Sequence, residues 1–172
     1  MSRHWLVISQ SAVSCSDQLG NVFKKMATNP LLAARLKHID LKKLQRNCAQ
    51  LAVKKTAEKF GGTVQNTYDN STAYGSASGE PPSGKCLGVI KVDDVQLGLF
   101  ENEKGELRFF WNAYSQECHG RRLNELKTEF ENEFRRIGLK AAAAAAAHRV
   151  TDEIRDEDEA KTEFICKRKV LS

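Results

Sequence analysis

The arrangement of residues 85–172 constrains this chain most: three apolar segments of strand character follow one another across short turns, and a long stretch of helical periodicity follows them. Residues 86–92 and 95–101 are joined by Asp93-Asp94, and residues 107–113 come after Asn102-Glu103-Lys104-Gly105. Connections this short force antiparallel neighbours, because a parallel pair needs a crossover of roughly a dozen residues or more. From about Glu117, the residues Leu123, Leu126, Phe130, Phe134, Ile137 and Ala141 fall on one narrow stripe at helical spacing, which predicts a helix laid on the sheet. A last strand is expected over residues 163–170. The expected class is α+β, an antiparallel sheet of about five strands covered by helices.

The 172 residues, 41% apolar and 28% charged, suit a single domain over 1–172 with a flexible Ser/Gly/Pro-rich loop at 70–85. The net charge of +5 is uneven: residues 1–60 hold 11 Lys and Arg against 3 acids, whereas residues 61–117 hold 4 against 8. Such an excess favours association with phosphate or an acidic protein surface, and has no bearing on fold. Cys15, Cys48, Cys86, Cys118 and Cys166 are widely separated, without a Cys-x-x-Cys or paired His spacing, so a zinc knuckle or ribbon is not expected. An odd cysteine count points to a reducing compartment and makes the sequon at Asn70-Ser71-Thr72 incidental. The apolar run near Trp5 is too short for a signal peptide or a membrane span, which predicts a soluble protein.

Trp5 to Ser9 reads as a first strand, and a short helix is expected from Asp17 to about Met26. Asn29-Pro30 has the form of an N-cap and first helical residue. Leu32, Leu36 and Ile39 are out of phase with Leu41, Leu44, Cys48, Leu51 and Ala52, so a break near Asp40 should start a new helix that stops at Gly61-Gly62, with Phe60 at the edge of its buried face. The opposite face presents Lys42, Lys43, Arg46, Gln50 and Lys54, where a phosphate backbone fits; the plain alternative is a solvated face. Residues 63–69 alternate weakly, as an edge strand does.

No complete motif fixes an enzyme mechanism, and no cofactor or metal is expected. Gly79-Glu80-Pro81-Pro82-Ser83-Gly84-Lys85 has phosphate-loop spacing, but Cys86 stands where a hydroxyl should bind magnesium, two prolines remove backbone donors, and a strand follows where a helix is needed. Cys118 and His119 are adjacent, and neighbours on a helix do not face one another as a nucleophile and base must. The isolated His4, His38 and His148 read as structural. Phe109 and Trp111 point to one side of their strand and Phe110 to the other, leaving one aromatic as a candidate for stacking on a base or partner, or for core packing under a second cover. Ala141 to Ala147 reads either as helix that another backbone can approach closely, or as a filler run. The acidic residues 151–159 lack the central glycine of a calcium loop and read as a solvated face or turn.

The start Met1-Ser2-Arg3-His4-Trp5, the segment Gly98-Leu99-Phe100 through Leu107-Arg108-Phe109-Phe110-Trp111, and Leu123-Asn124-Glu125-Leu126 ahead of a terminal strand resemble the hypothetical chloroplast reading frame thirty-five family of plastids and cyanobacteria. The resemblance is one of layout and carries over no functional residue. It implies a non-catalytic accessory or assembly subunit of a larger protein complex, an AAA+ ATPase among its partners, and a plastid stromal or cytoplasmic setting. The alternative is a nucleic-acid-binding module that uses Lys42, Lys43, Arg46 and Lys54. A third reading, a small nucleotide-binding enzyme that uses Lys85, depends on the loop.

Overall fold

Alternating apolar residues and tight turns make a five-stranded antiparallel sheet in the computed structural model, which describes residues 8–13, 21, 23–37, 39–68, 71–72, 75–76, 83–145, 148–156 and 161–168. The strands are β1 (Ile8–Ala12), β2 (Thr63–Gln65), β5 (Lys85–Val92), β6 (Val95–Glu101) and β7 (Leu107–Asn112), in the order β1-β7-β6-β5-β2. Two further sheets have two strands each, β3 (Ser71–Thr72) with β4 (Gly75–Ser76), and β8 (His148–Asp156) with β9 (Lys161–Arg168). The helices are α1 (Pro30–Leu36), α2 (Leu41–Lys59) and α3 (Ala113–Ala145). The class is therefore α+β. The chain divides into two compact units, Met1–Val13 with Ala52–Phe130, and Ser14–Leu51 with Glu131–Ser172.

The first unit holds the sheet. Asp93 takes a positive φ of 51° in the β5–β6 turn, and Asn102 closes the β6–β7 turn by accepting from the backbone N–H groups of Lys104 and Glu106 at 3.0 and 2.9 Å. Gly98 pairs across the sheet with Phe110, and a Cβ added at Gly98 would run into the Phe110 ring. Gly88 sits at a bulge in β5 with φ 152°, and a Cβ there would lie 3.1 Å from Val53 Cγ1 of α2. Both glycines answer a close approach.

Phe109, Phe110 and Trp111 are all buried, so no aromatic of β7 is left exposed for stacking. On one face of the sheet Phe109 meets Phe130 of α3 edge-on, ring centroids 5.3 Å apart. On the other, Phe110 contacts Tyr68 at 5.2 Å and Phe100 at 5.5 Å, and these three with Val89 form a second cluster beside Cys86. Burying a large apolar side chain stabilises a fold by about 1.5–3 kcal/mol, so this second cluster is worth several. Its cover begins with Tyr68, just past the short edge strand β2, whose Val64 is 44% exposed.

In the second unit, α1 starts at Pro30 as expected, and Ala33 N–H bonds back to Asn29 O at 2.8 Å. Asp40 caps α2: its Oδ1 accepts the Lys43 N–H at 3.2 Å and its carbonyl accepts the Leu44 N–H at 3.0 Å. Phe23, Cys48, Ala49, Phe134 and Ala142 are buried in this unit. Glu133 is buried too, and its Oε2 accepts both Nε and Nη2 of Arg136, at 3.2 and 2.7 Å.

Several expectations need correction. The first strand extends through Ala12, past the expected end at Ser9; residues 1–7 lie outside the described ones, as do residues 17–20 and 22 of the expected first helix. α3 begins at Ala113 and is two helices merged across a kink at His119, with φ −137° and ψ 30°. Beyond Phe134 its buried line passes through Gly138 and Ala142 at four-residue steps, leaving Ile137 and Ala141 half-buried. Residues 151–156, read as a solvated face or turn, belong to strand β8.

Candidate functional site

The C-terminus of α2 is fixed by its sequence. Gly61 adopts φ 67°, its N–H bonds to Glu58 O at 3.2 Å, and the Gly62 N–H bonds to Ala57 O at 2.8 Å, a Schellman ending. Gly62 is pressed so closely on β5 that a Cβ would collide with the Lys91 carbonyl. These restraints hold Lys59 and Phe60 beside α3, where Arg121, Asn124, Glu125, Thr128 and Glu129 follow at helical spacing on a flank away from the buried Leu123, Leu126 and Phe130. Together they line an open depression of about 710 Å³ within the first unit.

Its charges are placed against one another. Lys59 Nζ lies 2.9 Å from Glu129 Oε1. That oxygen is closed to solvent and makes no aligned hydrogen bond among the described residues, so the attraction is that of an ion pair. Arg121 Nε and Arg122 Nη1 reach the two oxygens of Glu125 at 3.5 and 3.4 Å. The Arg122 guanidinium also stands 5.4 Å from the centroid of the Phe60 ring. The cations are on the outside: the Arg121 side chain is 95% exposed and that of Lys59 51%, against 12% for Glu129. Glu125 is 42% exposed beside them, about as open as Arg122 at 41%, so an incoming group meets the Arg121 and Lys59 cations together with the Glu125 carboxylate. On a neighbouring turn Lys127 Nζ lies 3.3 Å from the centroid of the Trp111 ring, and the enclosed Trp111 Nε1 has no hydrogen-bond partner among the described residues.

Lys42, Lys43, Arg46 and Lys54 all lie on α2, but not as one equivalent row. Lys42, Lys43 and Lys54 are exposed, whereas Arg46 is half-buried and engaged. Lys42, Lys43 and Arg46 belong to the second unit and Lys54 to the first. Lys85 is exposed as the opening residue of β5, behind Gly84 at φ 136°, so no helix N-terminus follows it and the phosphate-loop geometry is absent. Residues 79–82 of that loop lie outside the described ones. Cys48 is buried and Cys86 half-buried; burial pushes both thiols up, opposed at Cys86 by a backbone hydrogen bond from Gly88. Thiols held that way are poor nucleophiles. His119 is half-buried at the kink of α3. No group of three metal-ligating side chains is assembled among the described residues.

Sequence reasoning placed Phe60 at the edge of a buried face but missed the cleft. The available signal was Arg121-Arg122 three and four residues before Glu125, with Glu129 one turn further, a pattern that sets charges along one helix flank. Among the described residues no helix is long and apolar enough to cross a membrane. No family model, curated protein or solved structure matches this chain.

Proposed function

We propose that this protein is a non-catalytic accessory or assembly subunit, and that it docks a partner protein in the cleft between Lys59-Phe60 and the 121–129 flank of α3. The openness of that cleft carries the reading. A small-molecule site closes over most of its ligand's surface, whereas this depression leaves Arg121 almost wholly in solvent. Arginine and aromatic residues are enriched where proteins dock, and the pairing of Arg122 with Phe60 keeps an arginine preorganised. The partner segment that suits it carries carboxylates, for Arg121 and Lys59, next to an apolar side chain for the Phe60 edge. The layout resemblance makes an AAA+ ATPase the first partner to try and the plastid stroma the first setting.

The test is affinity purification from native lysate with and without nuclease, comparing the natural chain with the doubly substituted Arg121→Glu, Asn124→Glu chain. Both positions are exposed, so the fold should tolerate the change. A stoichiometric partner that survives nuclease and is lost with the double substitution supports docking in the cleft. A partner retained equally by both chains rejects the cleft, and loss of every partner with nuclease rejects the assembly reading.

A further inference from the structure

We infer that residues 21–51 of the second unit bind the phosphate backbone of nucleic acid without regard to sequence, through the exposed Lys24, Lys25, Lys37, Lys42 and Lys43. This inference does not rest on the docking cleft, which belongs to the other unit. Residues 21–51 hold seven Lys and Arg against one acid, Asp40. That carboxylate is committed to the backbone, since its Oδ1 accepts the Lys43 N–H at the head of α2. All five lysines are exposed. None of them forms an ion pair among the described residues.

Lys42 and Lys43 are also badly placed for helix stability. They occupy the first turn of α2, a 19-residue helix with no acid there, and the macrodipole disfavours cations at that end. The Asp40 carboxylate at the N-cap offsets part of that cost, so the two lysines are tolerated there.

Among anionic partners the side-chain type favours nucleic acid over an acidic protein. Protein interfaces deplete lysine, whereas an ammonium still binds phosphate as a point charge, without the bidentate geometry of arginine. Within residues 21–51 the one aromatic, Phe23, is buried, so this segment brings no base-stacking ring of its own. That points to binding through phosphate alone, blind to sequence.

Fluorescence anisotropy of the full chain tests this with two labelled probes, a uridine oligonucleotide and a DNA duplex of mixed sequence, and with poly-glutamate as competitor. The chain should bind at about 50 mM KCl and weaken steeply towards about 200 mM, because each neutralised phosphate contributes about 0.7 (single strand) to 0.9 (duplex) to the slope of log affinity against log salt. Lys42→Gln with Lys43→Gln should weaken binding at least about fivefold and flatten the slope by more than about 1, since two contacts are removed. Lys54→Gln with Lys55→Gln, in the first unit, should leave the slope unchanged. Circular dichroism confirms that the variants stay folded. Absence of binding at low salt, an unchanged slope in the first pair of variants, or poly-glutamate competing as well as nucleic acid would each overturn the inference, the last in favour of an acidic protein.

Discussion

Gly98 shows how far one residue determines the sheet. The space its side chain would fill holds the Phe110 ring, and Phe110 is the centre of the cluster with Tyr68 and Phe100. Gly98→Ala should therefore destabilise the protein by about 1–3 kcal/mol, the usual cost of overpacking a filled core, measured as a shift of the urea midpoint without a large change in slope. Cys48 gives a pH-dependent counterpart. Burial raises its folded-state pKa above the unfolded value, so its contribution is fully present below the ordinary thiol range and is lost as pH climbs through the folded value. Stability should decline as pH rises past about 8.5, and Cys48→Ala should flatten that decline. The folded protein should also react with a thiol reagent more slowly at Cys48 than the urea-unfolded chain does. Equal rates would show that Cys48 is not shielded.

At the scale of elements, α2 is the helix most clearly written in the sequence. The phase break before Leu41 and the cap at Asp40 were readable from spacing and side-chain type, and so was the stop at Gly61-Gly62, because each follows from local chemistry. Asp40→Ala should cost about 1 kcal/mol by removing the acceptor of the Lys43 N–H, while Asp40→Asn should restore most of the loss; thermal unfolding of the two variants checks this. The meander β5-β6-β7 was legible for the same reason, its two turns being short and polar. The kink at His119 was not legible, since the apolar stripe starts only at Leu123, beyond it, and says nothing of the dihedrals before. Strand β8 was missed because acidic residues dominate 151–159 and mask a pairing set by the cross-strand register with β9, from His148↔Arg168 to Asp156↔Lys161.

For the whole molecule, the antiparallel sheet and its helical cover were legible, whereas the arrangement of function was not. Burial of Phe109 and Phe110 on opposite faces follows from the two-residue alternation, but what covers the second face depends on Tyr68, far from both in sequence. The expected basic row on α2 mixes exposed lysines with a half-buried Arg46, and the cleft that supports a docking role is assembled from residues some sixty positions apart, Phe60 and Arg121. Local patterns fix caps, turns and faces; a site made by two distant elements needs the fold. The most direct measurement is the dissociation constant, by calorimetry, of the partner recovered after nuclease for the natural chain and for Arg121→Glu, Asn124→Glu. Docking in the cleft predicts at least a tenfold loss, about 1.4 kcal/mol, of the size expected for reversing an interfacial arginine. An unchanged constant, with both chains equally folded, would contradict it.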